Sequence, residues 1–157
     1  MKVTLICIGK TDDKYIQEGC DVYIKRLQHY FKTEVSIIPD LKNVHKMDIQ
    51  ERKKKEGQLI LKQLEKSDSV ILLDEKGKEF SSRTFAQDLQ KKMNSGTKRI
   101  VFVIGGAFGF SDEMYKRSTG KLSLSKMTFS HQMIRLFFLE QLYRANTILN
   151  NEPYHND

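Results

Sequence analysis

A chain of 157 residues with 39% hydrophobic and 30% charged side chains is long enough to bury a real core and too short to divide comfortably, so one domain over residues 1–157 is expected. No apolar run of about 18 residues offers a membrane span, and the start, Met1-Lys2 followed by VTLICIG, lacks an export signal, so the expected location is the cytoplasm. The formal charge of +7 favours a polyanionic partner such as RNA. Cys7 and Cys20, without CxxC spacing, fit a reduced compartment and argue against disulfide and zinc frameworks.

In order, the chain alternates strand and helix. Residues 3–9 read as a buried strand; Thr11 or Asp12 caps a helix to about Tyr30, with Ile16, Cys20, Tyr23 and Leu27 recurring every three or four positions. Residues 35–38 form a second strand stopped by Pro39, and 40–46 is a polar, loose stretch. Asp48 opens a helix whose first half, Glu51-Arg-Lys-Lys-Lys-Glu56, is all charge. It reads as a solvated helix face or a phosphate-backbone contact. Residues 70–73 are a third buried strand running into a charged turn, 74–78, around Gly77. Ser81 or Ser82 caps a helix to about Asn94, ended by Gly96. Such alternation predicts an α/β fold with a mostly parallel sheet and helices on both faces.

The stretch Arg99–Arg135 organises the rest. Its apolar run 100–104 suits a strand buried on both faces and leads into Gly105, Gly106 and Gly109, where bare backbone can approach a ligand. Ser111 caps a short helix from about Asp112 to Arg117. A strand over 121–124 then opens into Ser125-Lys126-Met127-Thr128-Phe129 before a helix that starts near Ser130 or His131 and runs to about Leu149. Two strand ends that open into small or polar loops before helices predict a ligand crevice at the carboxyl edge of the sheet. A side chain on Gly105 is expected to intrude on that ligand.

Several familiar motifs are excluded. Gly9-Lys10-Thr11 has Thr4, inside a strand, where a P-loop needs its first glycine, and Gly105-Gly106-x-x-Gly109 is not the dinucleotide GxGxxG. His29, His45, His131 and His155 stand too far apart for a metal pair on one helix, so no metal is expected, and no Gly-x-Ser-x-Gly elbow is present.

The Val-Ile-Gly-Gly strand end, the Leu-Ser-Leu-Ser-Lys-Met-Thr-Phe loop, His131 and Arg135 at a helix start, Glu140-Gln-Leu-Tyr-Arg144 and Pro153-Tyr154-His155 together resemble the SPOUT family of RNA methyltransferases. Within it the match is to the branch that methylates N3 of a pseudouridine in large-subunit ribosomal RNA. The resemblance spans essentially the whole chain, including the Ile-x-Ile-Gly-Lys10 strand and the Leu-Asp-Glu-x-Gly-Lys78 turn. It implies a C-terminal trefoil knot, S-adenosylmethionine as methyl donor, and a homodimer whose active site is shared between subunits. In one respect the chain departs from the family, which usually has a basic residue after the Tyr-His pair: here Asn156 follows His155.

Set against that chemistry, Leu73, Gly105 and the loop Leu124, Ser125, Lys126, Met127, Thr128 and Phe129 are the expected donor-binding residues, with Leu73 as an apolar wall. Glu140, His131, Tyr154 and His155 are candidates to position or deprotonate the target nitrogen. Arg135 and Arg144 are expected to hold RNA phosphates. Leu136, Phe137, Phe138 and Leu139 in a row cover more than one helix face, which predicts a subunit interface. The tail 150–157 is expected to close over the target base, since Pro153 restrains the chain before the two rings. A competing reading is a non-catalytic basic RNA-binding or ribosome-assembly module of α/β fold. It needs aromatic stacking platforms, whereas most Phe and Tyr fall on apolar helix or strand faces.

Overall fold

A computed structural model of the chain describes residues 1–156. Strands β1 (Lys2–Ile8), β2 (Lys32–Ile38), β3 (Ser69–Glu79), β4 (Arg99–Ile104) and β5 (Gly120–Ser123) alternate with helices α1 (Lys14–Leu27), α2 (Ile49–Leu61), α3 (Ser82–Asn94), α4 (Asp112–Arg117) and α5 (His131–Leu149). The strands form one sheet in the order β2-β1-β4-β3-β5, with every pairing parallel. The α/β architecture expected from the alternation is the one observed.

Both sheet faces are covered, and the strand residues divide between them with the period of two that a pleated strand imposes. Val3, Leu5, Cys7, Ile100, Phe102 and Ile104 join α1, α3 and α5 in one apolar layer, where Phe102 meets Phe138 at 4.6 Å between ring centres. Ile6, Ile8, Val101 and Val103 pack on the other side with Ile60 of α2 and Met114 of α4. A central strand that must satisfy two layers has no room for polar alternation, so β4 reads as an unbroken apolar run.

Side-chain caps hold four of the five helices at the expected places. Asp48, Ser81, Ser111 and Ser130 accept from the backbone N–H of Glu51, Thr84, Met114 and Met133. The fifth differs from expectation. α1 is capped at Asp13, not Thr11 or Asp12, and no side chain of its own closes it. Gln132 instead fixes the chain entering the helix, its Oε1 taking the Asp12 and Asp13 N–H groups at 2.9 Å each. Thr11 is drawn away to accept from Arg135 at 2.8 Å.

Three further segments differ from the sequence reading. β2 begins at Lys32 because parallel pairing with β1, Lys2 opposite Lys32 onward, extends the strand beyond its apolar part. The loose stretch contains one 3-10 turn, Val44–Lys46. The charged turn at 74–78 lies inside β3, which leaves β5 after Leu73 and pairs with it again at Lys78. Gly77 is required there, since a Cβ on it would stand 2.7 Å from the Leu122 backbone nitrogen.

Candidate active site

The parallel registers place Leu73 beside Ile104 and beside Leu122, so the first run of β3 reaches the same sheet edge as the ends of β4 and β5. The loops that leave this edge enclose a cavity of about 440 Å3, within the size range of small-molecule and cofactor sites. Its floor is Leu73, Ile104 and Leu122, and its walls are residues 105–110 on one side and 123–125 with 127–129 on the other. A smaller hollow of about 280 Å3 lies under α3 around Ile71, Thr119 and Gly120, at the start of β5. That is the wrong end of the strands for a carboxyl-edge crevice.

Each wall is shaped by its own short-range bonds. Gly109, at φ +84, turns the glycine loop back so that its N–H donates to the Gly106 carbonyl at 3.2 Å. In the second wall Ser123 Oγ donates to the Ser125 carbonyl at 3.0 Å, and Ser125 Oγ accepts the Met127 N–H at 2.9 Å. At the mouth, Tyr115 donates its hydroxyl to Asp74 at 2.6 Å, and Asp74 accepts the Lys76 N–H at 2.8 Å. Burial, then the bond to Asp74, pushes the Tyr115 phenol up to about 12, so it stays a donor at neutral pH. Asp74, Glu75, Lys53 and Lys76 put both signs of charge at the rim.

Of the residues singled out from the sequence, Leu73, Gly105, Leu124, Ser125, Met127, Thr128, Phe129 and His131 line this cavity. Lys126 belongs to the same loop but is not among the lining residues. Sequence reasoning missed Tyr115, Asp74 and Lys53: the first lies on a six-residue helix with no periodic signal, the second in a stretch read as a charged turn, and the third in a helical run read as a solvated face or a phosphate contact.

Glu140, Arg144, Tyr154 and His155 form a second group, none of it lining the cavity. Glu140 Oε1 accepts from Arg144 Nη2 at 2.6 Å, from Arg144 Nε at 3.1 Å and from the Tyr154 hydroxyl at 3.0 Å, while Oε2 accepts from Gln141 at 2.8 Å. The Arg144 guanidinium stacks 4.7 Å from the Tyr154 ring centre and lies 3.4 Å from His155 Nδ1. Its bond to Glu140 raises its pKa further above the usual arginine value. Burial, then the bonds to Tyr23 and Glu140, raise the Tyr154 phenol. Tyr154 therefore acts at neutral pH as a hydrogen-bond donor and not as a phenolate base. The described part of the tail is pinned at Glu152 and Tyr154, because Tyr143 meets Tyr154 edge-on at 4.8 Å and Tyr30 donates to Glu152 at 2.6 Å.

One expectation is corrected. Arg135 is 3% exposed and spends its guanidinium inside the chain, donating to the carbonyls of Ile8 at 2.7 Å and His131 at 3.1 Å as well as to Thr11. It ties α5 to the end of β1 and has no exposed face for a phosphate. A Cβ on Gly105 would meet the Phe110 ring at 3.0 Å, and Phe110 itself lines the cavity, so a side chain there crowds the cavity wall.

Among the described residues no group of three His, Cys, Asp or Glu side chains is placed to hold a metal ion, and no helix is long and apolar enough to cross a membrane. A family model described as "Predicted SPOUT methyltransferase" matches residues 1–155. Three similar proteins each carry the name ribosomal RNA large subunit methyltransferase H. The one from Christiangramia forsetii is 60% identical, with 99% of each chain covered. That from Flavobacterium johnsoniae is also 60% identical over 99% of each chain, and that from Parabacteroides distasonis 57% over the whole of both. A carboxyl-edge cavity walled by a glycine loop and a serine-rich loop, in a chain that the model matches over residues 1–155, places this protein in the SPOUT methyltransferase family.

Proposed function

We propose that this chain, acting as a single domain in the cytoplasm, methylates N3 of a pseudouridine in large-subunit ribosomal RNA with S-adenosylmethionine as donor. The observation that carries the reading is the cavity at the ends of β3, β4 and β5 in a chain so similar to proteins named ribosomal RNA large subunit methyltransferase H. The donor supplies an electrophilic methyl group on a sulfonium. The residues present suit it: Leu73, Ile104 and Leu122 as apolar floor, the backbone of 105–110 and 124–129 for the edge of an adenine, and Asp74 and Glu75 for its cationic groups. Positioning carries most of the catalysis, because methyl transfer needs the target nitrogen held in line and stripped of its proton.

His131 is the titratable candidate that lines the cavity. The Glu140–Arg144–Tyr154–His155 group lies outside its own chain's cavity, which supports a homodimer in which one subunit's group completes the other's site. In that arrangement Arg144, partly exposed and oriented by Glu140, is the phosphate contact. The reading also carries a trefoil knot in the C-terminal part of the chain.

Titration calorimetry with S-adenosylmethionine should give one site per subunit. Incubation of unmodified ribosomes, isolated large subunits and free ribosomal RNA with labelled donor, followed by nucleoside mass spectrometry, should then locate one added methyl on a pseudouridine. Donor binding without methyl transfer to any of the three would overturn the substrate assignment, and absence of donor binding would overturn the enzyme reading altogether.

A further inference from the structure

The charged run on α2 does not behave as a solvated face throughout. Arg52, Glu56 and Ile60 stand four apart and so share one side of the helix. That side turns inward: Ile60 is 1% and Glu56 4% exposed. Burying a carboxylate is costly unless it is paired, and Glu56 has a partner in Arg52, whose Nε lies 3.1 Å from Oε1. What the carboxylate faces is the glycine loop. A Cβ built on Gly106 would come within 2.8 Å of both Glu56 Cδ and Oε1, and closer still to Oε2.

Gly106 is not one of the glycines with positive φ. Its lack of a side chain is therefore required by space and not by backbone conformation. The same ion pair reaches the loop at a second point, because the Arg52 guanidinium lies 5.3 Å from the centre of the Phe108 ring, and Phe108 lines the cavity. The next residue, Gly57, lets α2 approach the Ser111 cap, where a Cβ would stand 3.3 Å from Met114 Cγ. α2 thus grips the loop at Gly106 and Phe108 and the start of the following helix at Ser111.

We propose that Glu56, oriented by Arg52, is a positioning residue for the donor-binding loop: its carboxylate fills the volume left by Gly106 and holds the 105–109 turn in the shape that walls the cavity. Neither side chain lines the cavity itself, so the effect is on loop geometry and not through contact with a reacting group. This inference rests on the reading of the cavity as the S-adenosylmethionine site.

The test is a cycle of three variants, Gly106→Ala, Glu56→Ala and the pair together, each checked for folding by urea unfolding and read by calorimetry with S-adenosylmethionine. Gly106→Ala should weaken donor binding at least tenfold, and adding Glu56→Ala should recover a large part of that loss, since the removed carboxylate makes room for the new methyl group. Glu56→Ala alone should speed hydrogen–deuterium exchange of peptides covering 105–110 by about tenfold while the β4 peptide is unchanged, and should raise the KM for donor much more than it lowers kcat. If Gly106→Ala fails to fold, Glu56→Gln serves in its place; it keeps the shape, weakens the tie to Arg52, and should give a smaller increase in loop exchange. Additive losses in the pair, or unchanged loop exchange in Glu56→Ala and Glu56→Gln, would overturn the proposal. Failure of the wild-type chain to bind the donor would instead strike the reading of the cavity, and the exchange measurements would still report on the contact.

Discussion

Cys7 and Cys20 show how burial by itself sets a residue's chemistry. Both are buried among apolar neighbours, and desolvation pushes their thiols up, to about 12 for Cys7 and about 11 for Cys20, from an ordinary value of 9.0. A thiol whose folded pKa lies above its unfolded value costs nothing while both states keep the proton. Once pH passes the unfolded value the unfolded chain ionises first, so stability falls as pH rises through that window. The loss reaches up to about 1.4 kcal/mol per pH unit per thiol. Urea unfolding between pH 8 and 10.5 should therefore fall less steeply for Cys20→Ser than for the wild type. Identical slopes would show that the thiol is not desolvated as described.

The tail and its helix carry the next prediction. Tyr154 joins Glu140, Tyr23, Tyr143 and Arg144, so the last turn of chain is an extension of the α1–α5 layer. Under the proposed function, deleting residues 153–157 should leave S-adenosylmethionine affinity nearly unchanged and cut methyl transfer to ribosomes at least tenfold, or roughly 1.4 kcal/mol of transition-state stabilisation. Asn156 follows that group, and Asp157 lies outside the described residues. Donor affinity that falls with activity would place the tail in the cofactor site. At the glycine loop, Gly105→Val should cost stability by about 1–3 kcal/mol through crowding of Phe110, read as a lower urea midpoint. Because Phe110 also lines the cavity, donor binding should fall as well, and a destabilised variant that binds the donor normally would show that the added side chain leaves the ligand's space untouched.

At the scale of the whole molecule, the apolar run on α5 divides. Phe138 and Leu139 are buried, and Leu136 fills the space over Gly19 of α1. Phe137 is left 40% exposed, edge-on to the half-exposed Phe129 at 4.9 Å. An unburied aromatic pair beside the cavity wall is the patch a second subunit should cover. Sedimentation at micromolar concentration should give a dimer, and Phe137→Glu should shift it to monomer while the sheet stays intact. A wild-type monomer would remove the shared site from the proposal.

Much of this was legible in the residues alone, because local physics decided it. A doubly buried parallel strand must be an unbroken apolar run, a helix start needs an acceptor for its free N–H groups, and a strand ending in glycines must turn: hence β4, four caps and the loop at 105–109 follow from sequence. The tertiary structure decided whatever depends on partners distant in the chain. Gln132 fixes the entry to α1 from about 120 residues away, Arg135 turns inward because Ile8 and Thr11 offer acceptors, and Glu56 is buried because Gly106 leaves it room. A charged side chain looks the same in sequence whether water or a folded loop satisfies it. Only the packed molecule distinguishes the two, since the free energy of burying a charge is set by the groups that surround it.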